Sequence, residues 1–103
     1  MVKLIALYKH PDNRESFDEH YQKVHTPLTE KMPGLKKMEV TRIQGAPMGG
    51  KGAYYLEAAM YFDDRAALDA AMNSPEGKAA SKDLMGFAGS LVTMMIGEVE
   101  REA

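Results

Sequence analysis

Three histidines, His10, His20 and His25, are the side chains of this 103-residue sequence best suited to moving protons near neutral pH. His25 stands out by its surroundings. It follows Tyr21 by four residues, borders the apolar series Phe17, Tyr21, Val24 and Leu28, and precedes Pro27 by two. A proline removes an amide donor and disfavours the helical conformation in the residue before it. Backbone groups are freed there, and a side chain can reach between a helix and the sheet it covers. An imidazole at that place can act as general acid or base, with the Tyr21 hydroxyl as a hydrogen-bond donor beside it. The competing reading is a histidine that only satisfies a kinked helix end. Asp83 is the carboxylate to pair with His25, provided that the helices carrying them cover the same sheet face.

Other patterns point to less. His20 and His25 are five residues apart, which on an α-helix rotates them by about 140° into different sectors. No Asp or Glu cluster at ligand spacing accompanies them, so no metal site is expected. Gly45 to Lys51 satisfies G-x-x-x-x-G-K, but Gly52 stands where a phosphate-binding loop has Ser or Thr, and the segment that follows alternates as a strand. No helix N-terminus is then available for a phosphate. No G-x-G-x-x-G opens a helix, so neither a nicotinamide nor another cofactor is expected. The absence of cysteine excludes thiolate nucleophiles, redox pairs and cysteine-ligated metal.

The elements that must position these groups follow from periodicity. Val2 to Tyr8 is an aliphatic strand, followed by turn chemistry at His10-Pro11-Asp12-Asn13. A helix from Ser16 carries the stripe Phe17, Tyr21, Val24 and Leu28, with a break expected at His25–Pro27, Thr26 as a new N-cap and Pro27 as its first helical residue. Leu35 to Gln44 alternates as a strand, and Gly45 to Ala53 is a glycine-rich connector. Tyr54 to Phe62 is a strand with Tyr54, Leu56, Ala58, Met60 and Phe62 on one face and Tyr55, Glu57, Ala59 and Tyr61 on the other. Asp63 or Asp64 caps a helix bearing Ala67, Leu68, Ala71 and Met72. Ser74 caps the next, with Pro75 at its first position. A last strand runs from about Leu91 to Glu98.

The order β-α-β-β-α-β over residues 1–103 predicts one α+β domain of ferredoxin-like type, an antiparallel four-stranded sheet with helices on one face. The first, third and last strands are apolar on both faces, and helices cover only one. A homodimer burying the other face sheet against sheet is expected. A small domain without disulfides gains from such a partner. The nine methionines fit either an ordinary core or an adaptable pocket wall. Thirteen Lys and Arg against fifteen Asp and Glu, evenly scattered, leave no electrostatic footprint for nucleic acid. The apolar run Leu4 to Leu7 is too short for a signal peptide or a membrane span, so no membrane partner and a cytoplasmic location are expected.

Tyr21-Gln22-Lys23-Val24-His25-Thr26-Pro27-Leu28, Pro33-Gly34-Leu35, Phe62-Asp63-Asp64 and Ser74-Pro75-Glu76-Gly77-Lys78-Ala79-Ala80, with Asp83-Leu84 and Phe87, resemble the EthD family in order and spacing. That family takes its name from ethyl tert-butyl ether degradation clusters, and its members are often labelled oxidoreductases. The resemblance spans nearly the whole chain. It implies a dimeric α/β-barrel of two ferredoxin-like subunits, a fold shared with muconolactone isomerases, cofactor-independent monooxygenases and haem-degrading enzymes. It also places the family histidine on His25, with Tyr21 four residues before it.

The sequence therefore leads to a protein that acts on a small hydrophobic or aromatic molecule in a pocket between helices and sheet. His25 and Tyr21 carry the chemistry, without a cofactor, and Phe17, Leu28, Tyr55 and Phe87 line the substrate. Tyr8 and Tyr61 are further aromatic candidates. Isomerase, dehydratase and oxidoreductase chemistry stay open, as do a non-catalytic carrier and a purely structural dimer.

Overall fold

The computed structural model describes all 103 residues. Its elements are β1 (Val2–Lys9), α1 (Arg14–His20), a π-helical turn (Tyr21–His25), α2 (Thr26–Glu30), β2 (Lys37–Arg42), β3 (Tyr54–Phe62), α3 (Arg65–Asn73), α4 (Pro75–Ala88) and β4 (Val92–Glu98). The four strands form one antiparallel sheet in the order β2-β3-β1-β4, with the helices on one face. This is the expected ferredoxin-like α+β arrangement. Two caps stand where expected, Asp64 accepting from the Ala67 amide and Ser74 from that of Gly77. The first helix starts at Arg14, two residues before the expected Ser16, because Asn13, read from sequence only as part of a turn, caps it by accepting from the Ser16 amide.

The helical face of the sheet carries Leu4, Ala6 and Tyr8 of β1 against Met60, Ala58 and Leu56 of β3. Phe62 and Leu68 are almost wholly buried beside them. The opposite face exposes a narrower apolar strip than alternation suggests. Ile5, Leu7, Ala59 and Met95 lie there among Lys3, Lys37, Glu39 and Tyr61. Tyr61 donates to Glu39 at 2.9 Å, and the Lys3 and Lys37 ammonium groups sit 5.5 and 5.2 Å from its ring centre.

Two local departures from regular geometry decide which side chains face inward. The first is the π turn. Pro27 cannot donate to the Lys23 carbonyl four residues earlier, and its ring would press on that carbonyl. The helix widens instead of breaking: Thr26 keeps helical dihedrals, and its amide reaches back five residues to Tyr21. Thr26 is therefore not an N-cap, and the helical conformation runs through the segment without a break. The extra residue advances the helical phase, so Val24 turns outward to 42% exposure while His25 and Thr29 turn inward at 4% each. The second departure is an irregularity between Tyr8 and Lys9 in the β1–β3 register, where Lys9 pairs with Tyr54 and Tyr55 is left unpaired. Tyr55 and Leu56 are both buried as a result, and Tyr55 packs edge to face on Phe17. This corrects the alternation that put Tyr55 on the face with Glu57.

Candidate functional site

His25, at the end of the π turn, donates from Nδ1 to Asp83 Oδ2 of α4 at 3.0 Å. The anticipated pairing is present. A carboxylate only accepts, so it fixes the proton on Nδ1 and leaves the Nε2 lone pair free. Nε2 makes no hydrogen bond, and His25 lines a cavity with Leu4, Ala6, Tyr8, Met60 and Leu84. The remaining wall includes Thr29, Ser81 and the methionines Met32, Met72 and Met94. At about 20 Å³ the cavity has room for about one water molecule. Its four methionine side chains are unbranched and flexible, and Met94 on the edge strand is 39% exposed.

His20 joins the same carboxylate. Its Nε2 lies 2.9 Å from Oδ1 and 3.1 Å from Oδ2 of Asp83. The expectation that His20 and His25 face different sectors assumed an α-helix. In a π turn residues five apart are the axial neighbours, so both imidazoles reach one partner. The Phe87 ring lies against both, at 4.4 Å from His20 and 5.1 Å from His25 between ring centres. The carboxylate sits between the two rings, and no group of His, Cys, Asp or Glu is arranged to hold a metal ion.

Burial pushes the His25 imidazole below the ordinary histidine range. The hydrogen bond and negative charge of Asp83 act against that shift, and His20 acts with it. His25 is therefore neutral, hence basic at Nε2, at neutral pH. A depressed folded-state pKa means that the unfolded chain takes up this proton first as pH falls below about 6.5. The stability His25 contributes is fully present above that pH and is lost as acidity increases through its folded-state titration. Urea midpoints should accordingly fall more steeply between pH 7 and pH 5 for the natural chain than for His25→Gln. Equal slopes would mean that His25 is not buried in its neutral form.

The Tyr21 ring lies tilted against His25, with ring centres 5.6 Å apart, and meets Tyr8 edge to face. Its hydroxyl is buried without a partner in hydrogen-bond geometry. Burial pushes the Tyr21 phenol up to about 12 and holds Tyr8 above the ordinary phenol range, so both are protonated donors at neutral pH. Tyr8, not Tyr21, is the phenol that lines the His25 cavity.

None of Phe17, Leu28, Tyr55 and Phe87 lines that cavity. Phe17 and Phe87 border an open cleft of about 360 Å³ together with His20. Leu28 packs half-buried against the core. Tyr55 donates to both carboxylate oxygens of Asp18 at 2.9 Å and accepts from Arg42, forming a polar clamp at the other end of the sheet.

The EthD domain model matches residues 9–90, a span that contains His20, His25, Asp83 and Phe87. The chain belongs to the EthD family. An EthD-family protein from Bacillus halodurans is 56% identical, with 96% of this chain and 98% of that one covered and a TM-score of 0.93. A Rhodococcus erythropolis 11.0 kDa protein encoded between thcB and thcC is 34% identical over 97% of this chain and 96% of its own. A dimeric ferredoxin-like protein from Thermobifida fusca shares the fold at 16% identity, with a TM-score of 0.70 and coverage of 95% and 90%. In this EthD chain no helix is long and apolar enough to cross a membrane.

Proposed function

We propose that this EthD protein binds a small hydrophobic or aromatic molecule between its helices and sheet and performs acid/base chemistry on it with His25. One observation carries the reading: a buried imidazole tied at Nδ1 to Asp83 presents a free Nε2 to a cavity walled by apolar side chains. That is the geometry of an oriented general base. Tyr8, which lines the cavity, supplies a protonated hydroxyl for charge that develops on a substrate oxygen, and Tyr21 packs behind it against the Tyr8 and His25 rings. The cavity widens by rotation of its methionines to admit a ring. Isomerisation, dehydration and oxygenation of an activated aromatic all begin with such a proton transfer, and none needs a cofactor of the protein's own at that step.

The functional unit in this reading is a homodimer. The sheet face bearing Ile5, Leu7, Ala59 and Met95 has no helix over it, and the Thermobifida relative of the same fold is dimeric. Native mass spectrometry of protein purified gently from its own host cells tests both points in one spectrum. A dimer with a bound small molecule, converted on renewed incubation with the protein, is the expected result. A bound molecule that survives unchanged would make the protein a carrier, and a monomer would remove the sheet-to-sheet assembly.

A further inference from the structure

The side chains of His20, Asp83 and His25 are 35%, 18% and 5% exposed, a continuous gradient from solvent to cavity. Asp83 Oδ2 lies 3.1 Å from His20 Nε2 and 3.0 Å from His25 Nδ1, so a single oxygen touches both imidazoles. His20 opens onto the cleft that holds Ser16, Phe17 and Phe87, and onto a second surface hollow with Lys82 and Gly86. We propose that His20 and Asp83 form a proton relay that exchanges protons between solvent and His25 without opening the cavity.

This deepens the reading of His25 as the acid/base group and rests on it. The problem it addresses is physical: the His25 side chain is only 5% exposed, so little solvent meets it directly between turnovers. In the removal direction, His25 takes a proton from a bound molecule at Nε2, and the N–H bond at its Nδ1 breaks as Asp83 Oδ2 takes that proton. Asp83 passes it to Nε2 of His20 as the N–H bond at His20 Nδ1 breaks to solvent, which leaves His25 neutral with its proton on Nε2. In the delivery direction, His25 gives that Nε2 proton to the bound molecule while its Nδ1 takes one from Asp83 Oδ2, which is refilled from His20 Nε2 as solvent protonates His20 Nδ1. Each step forms one N–H or O–H bond and breaks another, so no further reactant is required. The other titratable groups facing His25 are Tyr8 from β1 and Tyr21 from the π turn, both neutral phenols; Lys82 shares the hollow outside His20. His20 and Asp83 are thus positioning and relay residues, one step removed from the reacting atoms.

The test uses the ligand-free protein labelled with 13C at histidine Cε1. Relaxation dispersion near the titration midpoint of His25 reads the rate at which its proton exchanges with solvent. His20→Gln keeps an amide donor for Asp83 but cannot carry a proton, and it should slow the exchange at least tenfold. Lys82→Ala should leave the rate unchanged. A natural exchange rate in His20→Gln would overturn the relay, with solvent reaching His25 through the cavity itself. Should that variant fail to fold, His20→Asn serves the same comparison. The measurement involves no turnover, so its failure is distinct from failure of the acid/base reading, which would appear as full conversion of the captured molecule by His25→Ala.

Discussion

His25→Ala should lower conversion of the captured molecule by about 10²–10⁴-fold, the range that a positioned acid or base contributes, while the sheet and its assembly persist. The side chain lies at the edge of the core, and its removal leaves Asp83 still bonded to His20. No buried carboxylate is therefore orphaned. Asp83→Asn separates orientation from charge. Without the carboxylate, burial and the His20 charge act on His25 unopposed and its pKa falls further. The acid limb of the pH–rate profile, set by protonation of the base, should move to lower pH in Asp83→Asn while the plateau drops. A plateau loss with no movement of the limb would give Asp83 a merely structural role. Full activity in His25→Ala would end the assignment of His25 to the chemistry.

The features legible in the sequence are those with a local physical cause. Ser74-Pro75 and Asp64 mark helix starts because a short oxygen-bearing side chain meets an orphan amide, and proline costs nothing at a first helical position. The antiparallel four-stranded sheet with its helices on one face followed from element order through the ferredoxin-like pattern. The π turn was not legible, because Phe17-Tyr21-Val24-Leu28 and Phe17-Tyr21-His25-Thr29 both fit a 3.6-residue period and hydropathy favours the first. Pro27 was the only signal, and it has two structural solutions, a break or a widened turn; the chain adopts the second. The same ambiguity hid His20. The cavity wall was harder still, since β1, β3, β4, α3 and α4 each contribute side chains to it and no spacing in the chain encodes their meeting. The aromatic residues chosen by type instead pack against one another, Phe17 touching Tyr8, Tyr21, Tyr55 and Phe87.

Gly77→Ala should produce the largest loss of stability available from a single added methyl group. Gly77 is buried in the first turn of α4, where its amide bonds the Ser74 side chain at 3.0 Å, and the helix passes directly over the end of α3. A Cβ there would stand 2.0 Å from the Ala71 carbonyl oxygen and 2.9 Å from Met72 Cα. Both are backbone atoms, so no rotamer change relieves the overlap and the α3–α4 corner must open. Overpacking of this kind costs about 3 kcal/mol, which for a domain of this size lowers Tm by roughly 12 °C or more. Gly86→Ala on the same helix is the control: that site is exposed, nothing lies within 4 Å of the added methyl, and helix propensity predicts a gain of up to about 1 kcal/mol. Calorimetry of the two variants should therefore give shifts of opposite sign, and equal shifts would mean that the corner is not close-packed. The corner also bears on the chemistry, because Asp83 rides on α4 six residues beyond Gly77. An opened α3–α4 angle would carry its carboxylate away from the π turn, so the surviving folded fraction of Gly77→Ala should show the lowered His25 titration of Asp83→Asn, although neither imidazole nor carboxylate has been changed.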